Sequence, residues 1–138
     1  MDHRDHVNLL RPAGISPGGL WADLGAGSGA FTLALRELIG AGGEIWAVDK
    51  DRGRLEELGR ACLARFGDAA GLHPLHADLT RSLEIPPLDG VVMANALHFF
   101  RDKEKVLRHV PVPYLSYSGW VYTGVFRKHP DFLRNLST

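Results

Sequence analysis

The chain is nearly without cysteine: Cys62 stands alone among 138 residues, so no disulfide can form within it. Neither charge is in excess, with 16 Lys and Arg against 16 Asp and Glu. The bulk positive field that gathers a nucleic-acid backbone is therefore missing, and no nucleic-acid partner is expected. No apolar run approaches the roughly 18 residues of a membrane span. The opening residues Asp2, His3, Arg4, Asp5 and His6 lack the apolar centre of a signal peptide. Together these absences predict a cytoplasmic chain without membrane contact. The seven histidines show no tight metal-ligand spacing. His73, His76 and Asp78 come nearest, but strand alternation sends His73 and His76 to opposite faces, so no metal site is expected. Repeats and low-complexity segments are absent. What remains is ordinary for one globular domain over residues 1–138, with 45% apolar and 23% charged residues. A chain of this size buries about two thirds of its unfolded surface.

Helical and extended patterns alternate along it. A short helix is predicted over His3 to Leu10, with Val7, Leu10 and His3 facing inward. Two prolines and three glycines make residues 11–19 a loop. A strand over Leu20 to Leu24 leads into a helix from about Ser28 to Ile39, with Ala30, Phe31, Ala34, Leu35 and Leu38 on one face. Gly40-Ala41-Gly42-Gly43 stops that helix. A second strand (Glu44 to Asp49) precedes a helix over Asp51 to Phe66, striped by Leu55, Leu58, Cys62 and Phe66. Cys62 on that stripe is a buried small hydrophobe. Further strands are predicted over His73 to Ala77, Gly90 to Asn95 and Gly119 to Phe126, with a helix over Asp102 to Val110. Near-continuous apolar strands in βαβαβ order define an α/β fold whose parallel sheet is covered on both faces.

The segment Trp21-Ala22-Asp23-Leu24-Gly25-Ala26-Gly27-Ser28-Gly29-Ala30 carries the most chemistry. A strand that turns into a helix through glycines leaves backbone N–H groups and a helix N-terminus facing one small space, with no Cβ in the way. Asp49 closes the second strand and Asp78 follows the third. Acids at the carboxyl ends of three successive strands describe a nucleoside-binding crevice. Two readings of the glycines stay open on spacing alone. Gly25-Ala26-Gly27-Ser28-Gly29-Ala30 fits G-x-G-x-x-A, a dinucleotide fingerprint, with Asp49 about 20 residues on for a ribose. Counting from Asp23 gives D-x-G-x-G-x-G instead. A pyrophosphate would be repelled by a carboxylate at the mouth of its cradle, whereas an ammonium and a sulfonium would be attracted. Asp49 can cap the following helix, accept both ribose hydroxyls, or do both.

The form beginning at Asp23 resembles motif I of the class I S-adenosylmethionine-dependent methyltransferases, and Ala77-Asp78-Leu79 resembles that family's adenine-side position. The resemblance covers about Leu9 to Val110. It implies a Rossmann-like three-layer sandwich with a mostly parallel sheet in the order 3-2-1-4-5, its final strands missing or atypical. It implies S-adenosylmethionine as cofactor, bound by Asp23, Gly25, Gly27, Gly29, Asp49, Lys50, Asp78, Leu79 and Asn95. Lys50 departs from the family, where an apolar side chain often packs on adenine; here its aliphatic stem would substitute. After the fourth strand, the segment resembles that of small-molecule methyltransferases. There Asn95 matches a residue at the donor's methionine end, and His98 faces the substrate as the candidate base; a loop histidine with no catalytic part is the alternative. No N-P-P-Y or D-P-P-Y follows the strand, which argues against the amino-methylating DNA and RNA enzymes.

The C-terminal stretch is atypical. Pro111-Val112-Pro113 breaks the preceding helix, and residues after Phe126 are too few for the family's last helix and hairpin. This predicts a minimal member, or a truncated or frame-altered one, with an open sheet edge that a second copy covers through residues 111–138. The implied activity is methyl transfer to a small-molecule acceptor. A non-catalytic donor-binding module or partner subunit, and an NAD(P)-binding oxidoreductase domain, are the alternatives.

Overall fold

The computed structural model describes residues 2–94 with their side chains, and residues 115–120 and 123–128 as two backbone strands. Helix α1 (His3–Leu10) opens with a capping box: Asp2 accepts the Asp5 amide while Asp5 accepts the Asp2 amide. A single 3-10 turn then leads to β1 (Leu20–Leu24), α2 (Ala30–Ile39), β2 (Glu44–Asp49), α3 (Arg52–Phe66), β3 (Leu72–His76) and β4 (Gly90–Ala94). The strands β5 (Leu115–Trp120) and β6 (Thr123–Lys128) complete the described elements.

The described strands form one sheet in the order β3-β2-β1-β4-β6-β5. The pairs β3–β2, β2–β1 and β1–β4 are parallel, as the alternating pattern requires. Beside β4 the sheet departs from the expected single strand over Gly119 to Phe126. Two antiparallel strands occupy that region, with Val92 opposite Val125 and Tyr117 opposite Phe126. The fifth position of the order thus belongs to β6, with β5 beyond it. The helix expected over Asp102 to Val110 lies outside the described residues.

Alternation along the central strands divides the core between two faces. Trp21, Ile45 and Val92 point toward α1 and α2, packing with Val7, Leu10, Phe31, Leu35 and Ile39. Ala47 meets Leu55 and Leu58 of α3 on that same side. Ala22, Leu24, Val48, Val91 and Met93 point the other way, where Leu79, Leu83, Ile85 and Leu88 cover them. That second face is covered, among the described residues, by an irregular segment rather than a helix. The α2 stripe is shifted from its expected members: Ala30 is exposed and Leu38 only half-buried, while Thr32 and Ile39 are buried. Helix α2 starts at Ala30, so that residue sits at the open end of the sheet rather than over it. Gly90 pairs with Trp21, and any Cβ there would overlap the indole ring. Close strand approach, not turn formation, explains that glycine.

Candidate donor-binding crevice at the carboxyl ends of β1 and β2

The glycine loop leaves β1 at Gly25 and enters α2 at Gly29, with Gly25, Gly27 and Gly29 all at positive φ. Its amides do not face an open space as the sequence suggests. Gly25 and Ala26 both donate to the Val48 carbonyl, at 2.8 and 3.0 Å, and Gly27 donates to Asp49 Oδ2 at 2.9 Å. The loop is stitched to the end of β2. What lies open is the Cα face of Gly27, where an added Cβ would meet only the tip of Arg54, at 3.7 Å. Helix α2 also begins without a side-chain cap, so its first amides are left to water or a ligand. Gly29 differs: a Cβ there would fall 2.8 Å from Leu58 Cγ. The two glycines thus answer to different demands, Gly29 to packing of the α2 start on α3 and Gly27 to its backbone conformation beneath open space.

Asp23 is not at the mouth of the crevice as expected. It is 1% exposed at the end of β1, and its Oδ2 accepts the Thr32 hydroxyl at 2.6 Å. Burial pushes its carboxyl up to about 7; the Thr32 bond opposes this and the nearby Asp49 charge adds to it. A carboxyl so placed gains from any cation that arrives above it. Thr32 itself was not legible as a site residue, although a threonine on the inward stripe of α2 was the available signal.

Asp49 does not cap α3. Asp51 does, accepting the Arg54 amide at 3.2 Å, while Asp49 Oδ1 accepts the Asp51 amide at 2.8 Å. Asp49 therefore fixes both the glycine loop and the start of α3, and each of its oxygens keeps lone-pair capacity for a further donor. Asp78 is exposed and forms a turn, its Oδ1 accepting the Thr80 amide and hydroxyl at 2.9 and 2.7 Å. Those bonds hold its carboxyl below the ordinary aspartate value, with Arg81 and Lys50 contributing nearby positive charge. Leu79 packs on the second core face beside Ala77 and Leu83. Lys50 is exposed, and its carbonyl accepts His76 Nε2 at 2.8 Å. His76 Nδ1 meets Arg52, whereas His73 bonds Glu44 and stacks on Trp46, so the two histidines serve separate neighbours. Asn95 and His98 lie outside the described residues.

Three features of this crevice fit an adenosyl sulfonium donor. Carboxylates stand at the ends of β1 and β2, the Gly27 face between them is bare, and the negative charge is disposed toward a cation rather than a pyrophosphate. Parallel strands in the order 3-2-1-4 with such a loop define a nucleoside-binding α/β domain. The family described as "Methyltransferase domain" matches residues 22–120. The chain belongs to the class I S-adenosylmethionine-dependent methyltransferase family, whose methyl donor is S-adenosylmethionine.

A curated relative, the ribosomal RNA small subunit methyltransferase H of Syntrophotalea carbinolica, is 36% identical over 91 residues, covering 63% of this chain and 28% of its own length. The chain thus spans little more than a quarter of that relative. Among solved structures, a SAM-dependent methyltransferase from Aquifex aeolicus matches with a TM-score of 0.68 and 21% identity, over 82% of this chain and 61% of its own. Coclaurine N-methyltransferase, bound to N-methylheliamine and SAH, matches with a TM-score of 0.66 and 21% identity, over 78% of this chain and 31% of its own. These likenesses are of fold. No helix among the described residues is long and apolar enough to cross a membrane.

Proposed function

We propose that the chain binds S-adenosylmethionine over Gly27 and passes its methyl group to a small-molecule acceptor. The observation that carries this reading is the bare Gly27 face between the coupled acids Asp23 and Asp49. Bound there, the donor supplies a methyl group on a positively charged sulfur, open to in-line displacement by a nucleophile. Asp49 accepts the ribose hydroxyls while keeping the Gly27 amide, so ribose recognition and loop position share one carboxylate. Asp23 supplies negative charge from below for the donor's ammonium. Asp78, Leu79 and the Lys50 stem serve the adenine side. On the family resemblance alone, we assign Asn95 to the donor's methionine end and His98 to taking the acceptor proton where the acceptor needs a base. Positioning and exclusion of water provide most of the rate in such a transfer.

Asp49→Ala tests the ribose assignment. Loss of charge-assisted hydrogen bonds is expected to weaken donor binding by roughly 1.5–3 kcal/mol, read by calorimetric titration. Unaltered affinity in a folded variant would remove Asp49 from the site. The same variant frees the Gly27 amide, so the weakening should exceed that in Asp78→Ala, whose carboxylate holds only its own turn.

A second acceptor class, ribosomal RNA, is favoured by the identity with the Syntrophotalea carbinolica enzyme. The balanced charge favours the small molecule. Radiolabelled methyl transfer, offered small-molecule extracts in one arm and ribosomal RNA in another, separates the two. Donor binding without transfer in either arm would mark a binding module. We place the chain in the cytoplasm and infer that a second copy associates through residues 111–138, where β5 is the outermost described strand.

A further inference from the structure

A cavity of about 250 Å³ lies at the opposite end of the sheet, between the start of β1, Asp89 at the foot of β4 and the chain that leads into β1. Strand β1 is five residues long, and at about 3.3 Å per residue it sets the cavity on the order of 16 Å from the donor crevice. Ile15 and Pro17 give it apolar walls, while Ser16, Trp21 and Asp89 give it polar groups. Hydrogen bonds fix its frame. Gly18 donates to the Ile39 carbonyl at 2.7 Å, Glu44 donates to the Gly19 carbonyl at 2.9 Å, and Leu20 donates to Asp89 Oδ2 at 2.9 Å. A Cβ on Gly19 would lie 2.9 Å from Asp89 Oδ2 and 3.5 Å from Trp21 Nε1, so the carboxylate and the indole edge meet at one bare glycine.

Neither group is used up by the fold. No cation pairs with Asp89 among the described residues, and the Trp21 N–H makes no hydrogen bond among them. The carboxyl end of α2 reaches the same edge through Ile39 and adds partial negative charge. An anion would be repelled here, and a bare ammonium would leave the indole N–H unanswered. We propose that this cavity binds a small protonated amine with a vicinal oxygen and a short apolar chain, such as an amino alcohol or amino amide. Its ammonium pairs with Asp89, its oxygen accepts from Trp21 Nε1, and its chain lies against Ile15 and Pro17. The volume falls just below the roughly 300–1,000 Å³ of drug-sized sites, which limits the ligand to about ten non-hydrogen atoms. The cavity shares no residue with the donor crevice and is too far from it for methyl transfer. Its ligand is therefore an effector rather than the acceptor, whatever the crevice binds.

Leucinol, isoamylamine and isocaproate, each titrated into the full chain, test this. They share one branched apolar chain; the first carries an ammonium and a hydroxyl, the second an ammonium alone, the third a carboxylate. The readout is the Trp21 indole N–H resonance, identified by its nuclear Overhauser contact with Gly19. Leucinol is expected to shift it saturably with a Kd in the millimolar range, isoamylamine to bind several-fold more weakly, and isocaproate to leave it unmoved. Asp89→Asn keeps an acceptor for the Leu20 amide and removes the charge, so leucinol should weaken about tenfold or more. Gly27→Val, at the donor crevice, should bind leucinol as the wild type does. Absence of a saturable shift with leucinol overturns the proposal. So does an equal response to isocaproate, which would mark an unselective apolar contact, and so does unaltered leucinol affinity in folded Asp89→Asn. Should that variant not fold, the ranking of the three probes on the wild type still decides.

Discussion

Gly27→Val is expected to abolish binding of S-adenosylmethionine while the chain stays folded. Gly27 has φ of +59°, where a β-branched residue is strained by about 1–2 kcal/mol. The protein offers no other obstacle, since the added Cβ would meet only the movable tip of Arg54. The valine would instead fill the space assigned to the donor, and affinity should fall by at least roughly 100-fold, about 2.7 kcal/mol or more. Gly29→Val provides the contrast. Its Cβ would press on Leu58 at 2.8 Å, and φ of +103° adds backbone strain, so this variant should lose far more stability. Circular dichroism and denaturant midpoints read the folding side, and calorimetry reads the donor. Normal binding by folded Gly27→Val would show that the loop serves structure alone.

Asp23→Asn is expected to change the pH dependence of both stability and binding. Burial holds the Asp23 carboxyl at about 7, above the 3.8 it has when unfolded. The folded chain therefore keeps a proton that the unfolded chain releases. The stability this contributes is complete below about pH 4 and is lost as pH rises through 7. The loss amounts to as much as about 4 kcal/mol for a shift of this size. Asparagine keeps an acceptor for Thr32 but cannot ionise, so the variant should lack this decline. Its amide costs something of its own in a buried place, which is why the slope between pH 5 and pH 8 is decisive rather than either midpoint. Asp2, Glu37 and Asp78 are shifted downward, so their contributions fall away on the acid side and are common to both proteins. Donor affinity in the wild type should rise with pH through 7, as Asp23 gains the charge that attracts the ammonium, and should be flat in Asp23→Asn. Parallel slopes in the two proteins would contradict the burial of an ionisable Asp23.

Much of this architecture is legible in the sequence because local and tertiary demands agree. The β1 and β2 spans and α1 fall where the apolar pattern places them, and Gly40 marks the end of α2 by its chemistry. The α2 start was expected two residues early, because Ser28 and Gly29 suit a helix opening, yet Gly29 is held in a left-handed conformation against Leu58. The β5–β6 region misleads for another reason. Gly119 through Phe126 alternates as one strand would, and no Asn-Gly or Asp-Gly pair marks the break between Trp120 and Thr123. At the site, residue types showed where acids and glycines gather but not which way each faces. Asp23 proves buried because its strand end is roofed by α2, and helix capping falls to Asp51 rather than Asp49. Arg36 likewise defies its polarity: it is 9% exposed, lies over the Phe66 ring at 4.9 Å and approaches Asp68. Only tertiary contacts reveal such snorkelling inward along a packed stem.

Titration of the full chain with S-adenosylmethionine and, separately, with NADH tests the central claim most directly. The crevice built on Asp23, Gly27 and Asp49 is expected to give saturable binding of S-adenosylmethionine with one site per chain, and no measurable heat with NADH at the same concentrations. Tight binding of NADH, with S-adenosylmethionine failing to compete, would contradict the account.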